Sequence, residues 1–137
     1  MTPLLVLDSN VYISAVLFGG KPRQIIEAAL AGKIRLAVSS SILEEIRAVL
    51  SGDKFNFPSD VAREIIVEIE SLAETIEAVE KISVIKDDPD DNRILECALA
   101  ADAEAVVSGD GHLLVLSSFL DIPIMTPADC LEKFHLG

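Results

Sequence analysis

The chain alternates short apolar segments with longer stretches of helical periodicity, and this alternation restricts the folds available to it. The segments Leu4–Leu7, Arg35–Val38, Ala105–Ser108 and Ile122–Met125 are predicted strands. Near-continuous apolar runs of this length are typical of strands that are buried on both faces. Strands that alternate with helices form mainly parallel sheets, so the sequence predicts an α/β domain.

Helices are predicted from apolar spacing and from the residues that favour helix ends. Pro22 suits a first helical turn, and Gly32 suits the position after a last turn. Between Thr75 and Ile85 the pattern allows either one or two short strands. The predicted helices are Pro22–Ala31, Ser41–Leu50, Ser59–Leu72, Asp90–Ala101 and Pro127–Phe134.

The length of 137 residues predicts a single domain, residues 1–137, because domains commonly hold about 100–200 residues. Half of the residues are hydrophobic, which indicates a globular chain. Cys97 and Cys130 stand apart from each other and from any zinc-binding pattern. Isolated cysteines, with neither a signal peptide nor an apolar run long enough to span a membrane, favour a cytoplasmic protein.

The formal net charge of −12 has two interpretations. Taken alone, it argues against nucleic acid, since phosphate binding needs lysine and arginine. A surface excess of acids is one explanation. The other is that several acids converge on a divalent cation, which would reverse the local sign and attract a phosphate. The positions of the acids can distinguish these interpretations, whereas the total charge cannot.

Two aspartates follow predicted strands at their carboxyl ends. Asp8 comes directly after Leu4–Leu7, and Asp110 follows Ala105–Ser108 through Gly109. In open parallel sheets, ligands bind outside the carboxyl ends of the strands. Both aspartates also have a purely structural interpretation, since Asp8 can cap the next helix and Gly-Asp-Gly is a turn sequence.

Glu45 is placed by helical geometry, in which successive residues advance about 100°. In the helix Ser41–Leu50, Glu44 points away from the apolar stripe, whereas Glu45 lies on its flank. Only Glu45 can therefore reach a groove beside the sheet. The structural alternative is a charge at the rim, paired with a lysine or arginine.

Asp91 belongs to the acidic segment 87–92, which reads Asp-Asp-Pro-Asp-Asp-Asn. Asp88 can cap a helix that has Pro89 at its first position, and Asp90 in the first turn would favour the helix dipole. Asp91 shares its helical register with the apolar residues four and seven positions later. It is therefore predicted to be the acid that points inward.

Together, Asp8, Glu45, Asp91 and Asp110 would place four carboxylates at one edge of one sheet. Like charges a few ångströms apart repel each other and raise their pKa values. A hard divalent cation removes this conflict, and Mg²⁺ and Mn²⁺ prefer carboxylate and water oxygens. The four acids are therefore the predicted metal-binding and catalytic residues.

In order and spacing, the strings that contain these acids resemble those of PIN-domain nucleases, and in particular the VapC-like toxins of toxin–antitoxin pairs. Each string alone has low specificity, whereas the ordered set of four is more specific and extends over nearly the whole chain. The matching strings are Leu7-Asp8-Ser9-Asn10, Glu45 followed by Val49-Leu50, Asp91-Asn92, and Ser108-Gly109-Asp110 followed by Leu113-Leu114.

The resemblance implies a PIN fold, with a mainly parallel sheet of about five strands flanked by helices. It also implies a metal-dependent endoribonuclease with Mg²⁺ or Mn²⁺ as cofactor, RNA as substrate, an inhibiting antitoxin and a homodimer. The four acids carry over as metal ligands, Asn10 as a polar residue that orients ligands or water, and Asn92 as a weaker candidate for similar support. His112 stands where related proteins often carry another charged residue; it could touch substrate or be a surface histidine.

Few basic residues are available near the predicted site to contact phosphate. The candidates are Lys21, Arg23, Arg47 and Arg93, and each could instead be an ordinary surface or salt-bridging residue.

Two other classes of protein are alternatives. A haloacid-dehalogenase-type phosphatase needs a second aspartate where this chain has Asn10, and a receiver domain needs a lysine at a late strand end, where Ser108 and Met125 stand. A non-catalytic PIN-like module that binds a partner protein would suit an acidic chain with few basic residues, although all four acids are present.

Overall fold

The computed structural model describes residues 2–78, 80–85 and 91–137, which form six strands and seven helices. The strands are β1 (Leu4–Leu7), β2 (Arg35–Val38), β3 (Glu74–Thr75), β4 (Ala105–Val107), β5 (Ser118–Phe119) and β6 (Ile122–Met125). The helices are α1 (Ser9–Leu17), α2 (Gly20–Leu30), α3 (Ser40–Ser51), α4 (Ser59–Leu72), α5 (Asp91–Ala101), α6 (Gly111–Leu114) and α7 (Pro127–Lys133).

The six strands form one sheet in the order β3-β2-β1-β4-β6-β5. Every neighbouring pair is parallel except β5 with β6, which is antiparallel. Leu5, at the centre of the sheet, lies between Leu36 of β2 and Ala105 of β4, and all three side chains are buried. The α/β class and the mainly parallel sheet predicted from the apolar runs are confirmed.

The pairing of β1 with β4 determines where the site lies. The two strands run parallel with Leu7 opposite Val107, so their carboxyl ends are adjacent. The backbone N–H of Asp8 donates to the carbonyl of Val107 at 2.9 Å, and that of Ser108 donates to the carbonyl of Met125, also at 2.9 Å. The chain therefore leaves β1 and β4 at neighbouring points on the same edge of the sheet.

Three elements are missing from the predicted strands and helices: α1, α6 and β5, although a capped helix after Asp8 was considered as the structural interpretation of that residue. The segment of α1 has buried residues on several sides, including Val11, Tyr12 and Ile13, and so lacks the polar face that marks a surface helix. The other two elements are only four and two residues long, too short for a periodic pattern to develop.

The segment Thr75–Ile85 was predicted to contain one or two short strands, and among its described residues only Thr75, at the end of β3, belongs to a strand. The N–H of Ile76 still donates to the carbonyl of Val38 in β2, whereas three backbone donors from Ile82 onward bind side chains of α5 instead of another strand. The carboxylate of Glu96 accepts from the N–H of Ile82 at 2.9 Å. The amide oxygen of Asn92 accepts from the N–H groups of Val84 and Ile85 at 3.0 and 2.9 Å. This part of the chain is thus a loop bound along the first two turns of α5.

Among the described residues, no helix combines the length and the apolar character that crossing a membrane would require.

Burial in the sheet predicts the effect of truncating one of its leucines. Leu36 of β2 is 1% exposed, whereas Leu30, at the end of α2, is 71% exposed. We expect Leu36→Ala to lower the free energy of unfolding by about 2–5 kcal/mol, because it removes buried methyl groups and leaves a cavity. Leu30→Ala, the matched control, should change it by less than about 0.5 kcal/mol. Urea unfolding of both variants measures the two changes. Equal losses of stability in Leu36→Ala and Leu30→Ala would contradict the burial of Leu36.

Candidate active site

Asp8 lies at the carboxyl end of β1 and is 1% exposed. Its Oδ1 accepts hydrogen bonds from the hydroxyl of Ser9 at 3.2 Å and from the backbone N–H of Asn10 at 3.4 Å, so it caps helix α1. Its Oδ2 accepts from the hydroxyl of Ser108 at 2.7 Å. Asp8 therefore has the capping role that was considered from the sequence, and this role uses its Oδ1 atom.

Ser108 connects Asp8 with the backbone of Asp110. Its side-chain oxygen donates to Asp8 and accepts from the N–H of Asp110 at 2.9 Å, and its side chain is fully buried. This serine belonged to one of the strings that carry the family resemblance, but its linking role depends on the adjacency of β1 and β4. No pattern in the sequence could have indicated it.

The pKa of Asp8 is raised above its ordinary value of 3.8, mainly because burial disfavours the charged form. The negative charge of Asp110 raises it further, whereas the hydrogen bonds from Ser108, Asn10 and Ser9 lower it. A carboxylate held in these surroundings gains stability when a cation binds nearby.

Asp91 and Asp110 are brought together with His112. Their nearest side-chain ligand atoms, one from each residue, all lie within 4.8 Å of one another. The Nδ1 atom of His112 is 3.6 Å from Oδ1 of Asp110 and 4.0 Å from Oδ2 of Asp91. Asp91 is 5% exposed at the first residue of α5, in agreement with its predicted inward orientation. Asp88 and Asp90, predicted as cap and dipole residues, lie outside the described residues.

Asp110 also has the structural role considered from the sequence, since its Oδ1 accepts from the backbone N–H of His112 at 2.8 Å and caps α6. Two carboxylates and one imidazole within this distance form a donor set that suits a divalent cation. The residues present therefore fit the metal predicted from the four acids.

Glu45 is not one of the three residues in this group. It is half-buried and lines an open cleft of about 660 Å³ between α3 and α5, together with Ser41 and Arg93. Its neighbour Glu44 is exposed and forms an ion pair with Arg47. Their exposure agrees with the predicted contrast between an outward Glu44 and a flanking Glu45, but Glu44 also lines this cleft, so Glu45 is not alone in reaching it.

The two predicted supporting residues have different surroundings. The side chain of Asn10 is exposed at the start of α1, and its backbone N–H donates to the capping carboxylate of Asp8. Asn92 is 2% exposed and, besides accepting from two N–H groups of the loop, donates from its amide to the carbonyl of Ile85 at 2.7 Å. Asn92 thus holds the loop against the helix that begins with Asp91.

The basic residues considered for phosphate binding are partly engaged elsewhere. Arg93 forms an ion pair with Glu96 at 2.8 Å, and its guanidinium donates to the carbonyl of Ile82 at 3.2 Å. Arg47 is paired with Glu44, and Arg23 lines an apolar groove that none of the four acids lines. Lys21 is exposed at the start of α2. Attraction of a phosphate to the carboxyl edge would therefore depend mainly on a bound cation.

A mainly parallel α/β sheet with acids grouped at the carboxyl ends of its strands places the chain in the class of α/β domains that bind ligands beyond those ends. Within this class, a family model described as PIN domain matches residues 4–112. The chain belongs to the PIN-domain family.

Solved structures of similar fold include chains from two complexes. One is VapBC2 from Rickettsia felis bound to a DNA fragment from its promoter. The matched chain has a TM-score of 0.64 and is 17% identical to this protein, and the match covers 90% of this chain and 98% of that chain. The other is DNA-bound VapBC from Salmonella typhimurium. Its matched chain has a TM-score of 0.63 and 18% identity, and the match covers 93% of this chain and 99% of that chain. At this identity the likeness is one of fold. No curated protein sequence matches the chain significantly.

The link through Ser108 predicts a loss of stability on its removal. Ser108→Ala would leave the buried Oδ2 of Asp8 and the N–H of Asp110 without their shared partner. We expect the free energy of unfolding to fall by about 1–3 kcal/mol, which is the usual cost of an unsatisfied buried polar group. Ser71→Ala is the control, because the Ser71 hydroxyl is exposed and binds only the carbonyl of Glu68 in α4. Equal thermal unfolding of the two variants would refute the link.

The raised pKa of Asp8 predicts how the stability of the metal-free Asp8→Asn variant, relative to wild type, depends on pH. Unfolded Asp8 loses its proton near pH 3.8, whereas the folded protein retains it to higher pH. The free energy of unfolding of wild type therefore falls as pH rises from the pKa of unfolded Asp8 to the pKa of folded Asp8. Below the unfolded pKa, Asp8 is protonated in both states and causes no such loss. We expect the stability of Asp8→Asn relative to wild type to increase between pH 3.5 and pH 7, as measured by urea unfolding in EDTA. A constant or decreasing difference would contradict the shift.

Proposed function

We propose that this chain is a metal-dependent endoribonuclease that hydrolyses RNA phosphodiester bonds and acts as the toxin of a toxin–antitoxin pair. The observation that carries the proposal is the position of Asp8, Asp91 and Asp110. Two of them are buried, and Asp8 is joined to the backbone of Asp110 through the Ser108 hydroxyl. Membership of the PIN-domain family supports the proposal. The sequence strings that resemble PIN-domain nucleases are those that contain the four acids proposed to bind the metal.

The cofactor proposed is Mg²⁺ or Mn²⁺, held by carboxylates among Asp8, Glu45, Asp91 and Asp110. When bound, such a cation lowers the pKa of a coordinated water and offsets negative charge on a phosphate. Asp8 supplies a buried carboxylate whose orientation is held by Ser9, Asn10 and Ser108. That orientation is maintained before any substrate arrives, so little reorganisation is needed during the reaction.

Glu45 is proposed to bind the metal or to orient the attacking water from the α3 side. It lines the open cleft with Arg93, and this cleft is the surface proposed to accept an extended RNA strand. Asn10 and Asn92 are proposed as supporting residues. Asn10 is exposed and adjacent to Asp8, whereas Asn92 acts through the loop that it binds.

The proposed partner is an antitoxin protein, which the two similar complexes suggest because each pairs VapC with VapB. A groove of about 340 Å³ between α1, α2 and α4 offers apolar surface for such a partner. Its lining includes Val16 and Leu30, which are 41% and 71% exposed. A homodimer and a cytoplasmic location complete the proposal; the first rests on the family resemblance and the second on the isolated cysteines of the sequence.

A non-catalytic PIN-like module that binds a partner protein is the second candidate, and the same groove favours it. The two candidates differ in what they require of the acids. A binding module would tolerate Asp8→Asn and Asp110→Asn without loss of function, whereas a nuclease would not. The phosphotransfer alternative receives no support from the family to which the chain belongs.

Cleavage of labelled single-stranded RNA tests the enzyme. With Mn²⁺ or Mg²⁺ we expect wild-type cleavage that EDTA abolishes, and a loss of about 10²-fold or more in Asp8→Asn and Asp110→Asn, because each removes a charge needed to hold the cation. Glu45→Gln should also reduce cleavage. Glu44→Gln is its matched control, since Glu44 is exposed and paired with Arg47.

Two outcomes would count against this function. Cleavage that persists in folded Asp8→Asn and Asp110→Asn would identify a contaminating nuclease. No cleavage by a folded wild-type protein that binds Mn²⁺, tested across RNAs of varied sequence, would favour the binding module.

A further inference from the structure

His112 is placed beside the two acids in a way that a capping turn does not require. The cap of α6 uses only the backbone N–H of His112, which donates to Oδ1 of Asp110 at 2.8 Å. The side chain is exposed at the start of α6, as the sequence interpretation of a surface histidine supposed. Even so, its Nδ1 atom lies 3.6 Å from Asp110 and 4.0 Å from Asp91.

Both separations are too long for a direct hydrogen bond, for which about 2.7–3.2 Å is typical. They are nevertheless suited to two ligands of one cation. With metal–oxygen distances of about 2.0–2.1 Å in an octahedral shell, adjacent ligand atoms lie about 3 Å apart and opposite ones about 4.2 Å apart. The two distances measured at His112 fall between these values.

The backbone of His112 is held in place, although its side chain is 48% exposed. The next residue, Leu113, is fully buried and anchors α6 to the core. The N–H groups of Leu113 and Leu114 both donate to the carbonyl of Asp110, at 3.2 and 2.9 Å. The imidazole therefore leaves the chain from a point that is set by the same turn that sets Asp110.

We propose that His112 is a metal ligand, so that the site combines one imidazole nitrogen with the carboxylates of Asp91 and Asp110. This inference rests on the proposed metal-dependent function and goes beyond it by naming the donor set and its metal preference. Mg²⁺ favours oxygen ligands and retains its water, whereas imidazole suits transition metals. The chain should therefore bind Mn²⁺ in preference to Mg²⁺, through His112.

The test is pulsed electron paramagnetic resonance of Mn²⁺ bound to the full chain, which detects nitrogen-14 of a coordinated imidazole. The chain has two histidines, and the second, His135, is exposed beyond α7 and serves as the matched control. We expect the nitrogen signal in wild type and His135→Asn, and its loss in His112→Asn. The backbone cap is unchanged by either substitution, and thermal unfolding confirms that each variant is folded.

Calorimetric titration adds a second measurement. His112→Asn should weaken Mn²⁺ binding by about tenfold or more and change Mg²⁺ binding much less, because the amide still offers an oxygen. Wild-type Mn²⁺ binding without a nitrogen signal, or a signal that persists in His112→Asn, would overturn the role of His112 and leave the proposed function intact. If the wild-type protein bound Mn²⁺ no more tightly than the Asp110→Asn variant, both the role of His112 and the proposed metal-dependent function would be overturned.

Discussion

The hydrogen bond from Ser108 to Asp8 is the interaction on which the candidate site depends. It joins the carboxyl ends of β1 and β4, and the same side-chain oxygen receives the N–H of Asp110. Residues 100 positions apart in the chain are thereby held in one unit. Parallel pairing of the two strands brings these ends together, and the serine then sets how the carboxylate is oriented.

This arrangement keeps negative charge at a buried position. Burial and the charge of Asp110 both raise the pKa of Asp8, so the folded protein carries an electrostatic cost when Asp8 is ionised. The net charge of −12 adds to that cost at longer range. A divalent cation at Asp91, Asp110 and His112 would offset it, which explains how an acidic chain could act on a polyanion.

The loop before α5 shows how the second buried acid is positioned. Glu96 and Asn92 bind the backbone N–H groups of Ile82, Val84 and Ile85, and Arg93 closes the network through Glu96. These contacts attach the loop to the helix that begins with Asp91. Arg93, one of the basic residues considered for phosphate, is therefore shared between the loop and the cleft lined by Glu45.

The sequence alone determined the α/β class, four of the strands, and the acids at strand ends and on helix flanks, because apolar periodicity and local geometry act over a few residues. It did not determine the extent of α1, which has no polar face. Nor did it determine that 80–85, within the segment predicted to hold one or two short strands, is a loop whose backbone donors bind side chains of α5. Only the tertiary structure linked Asp8 to Asp110 through Ser108 and placed His112 beside Asp91. Those contacts join distant parts of the chain, so they depend on strand order and packing, which no local pattern encodes.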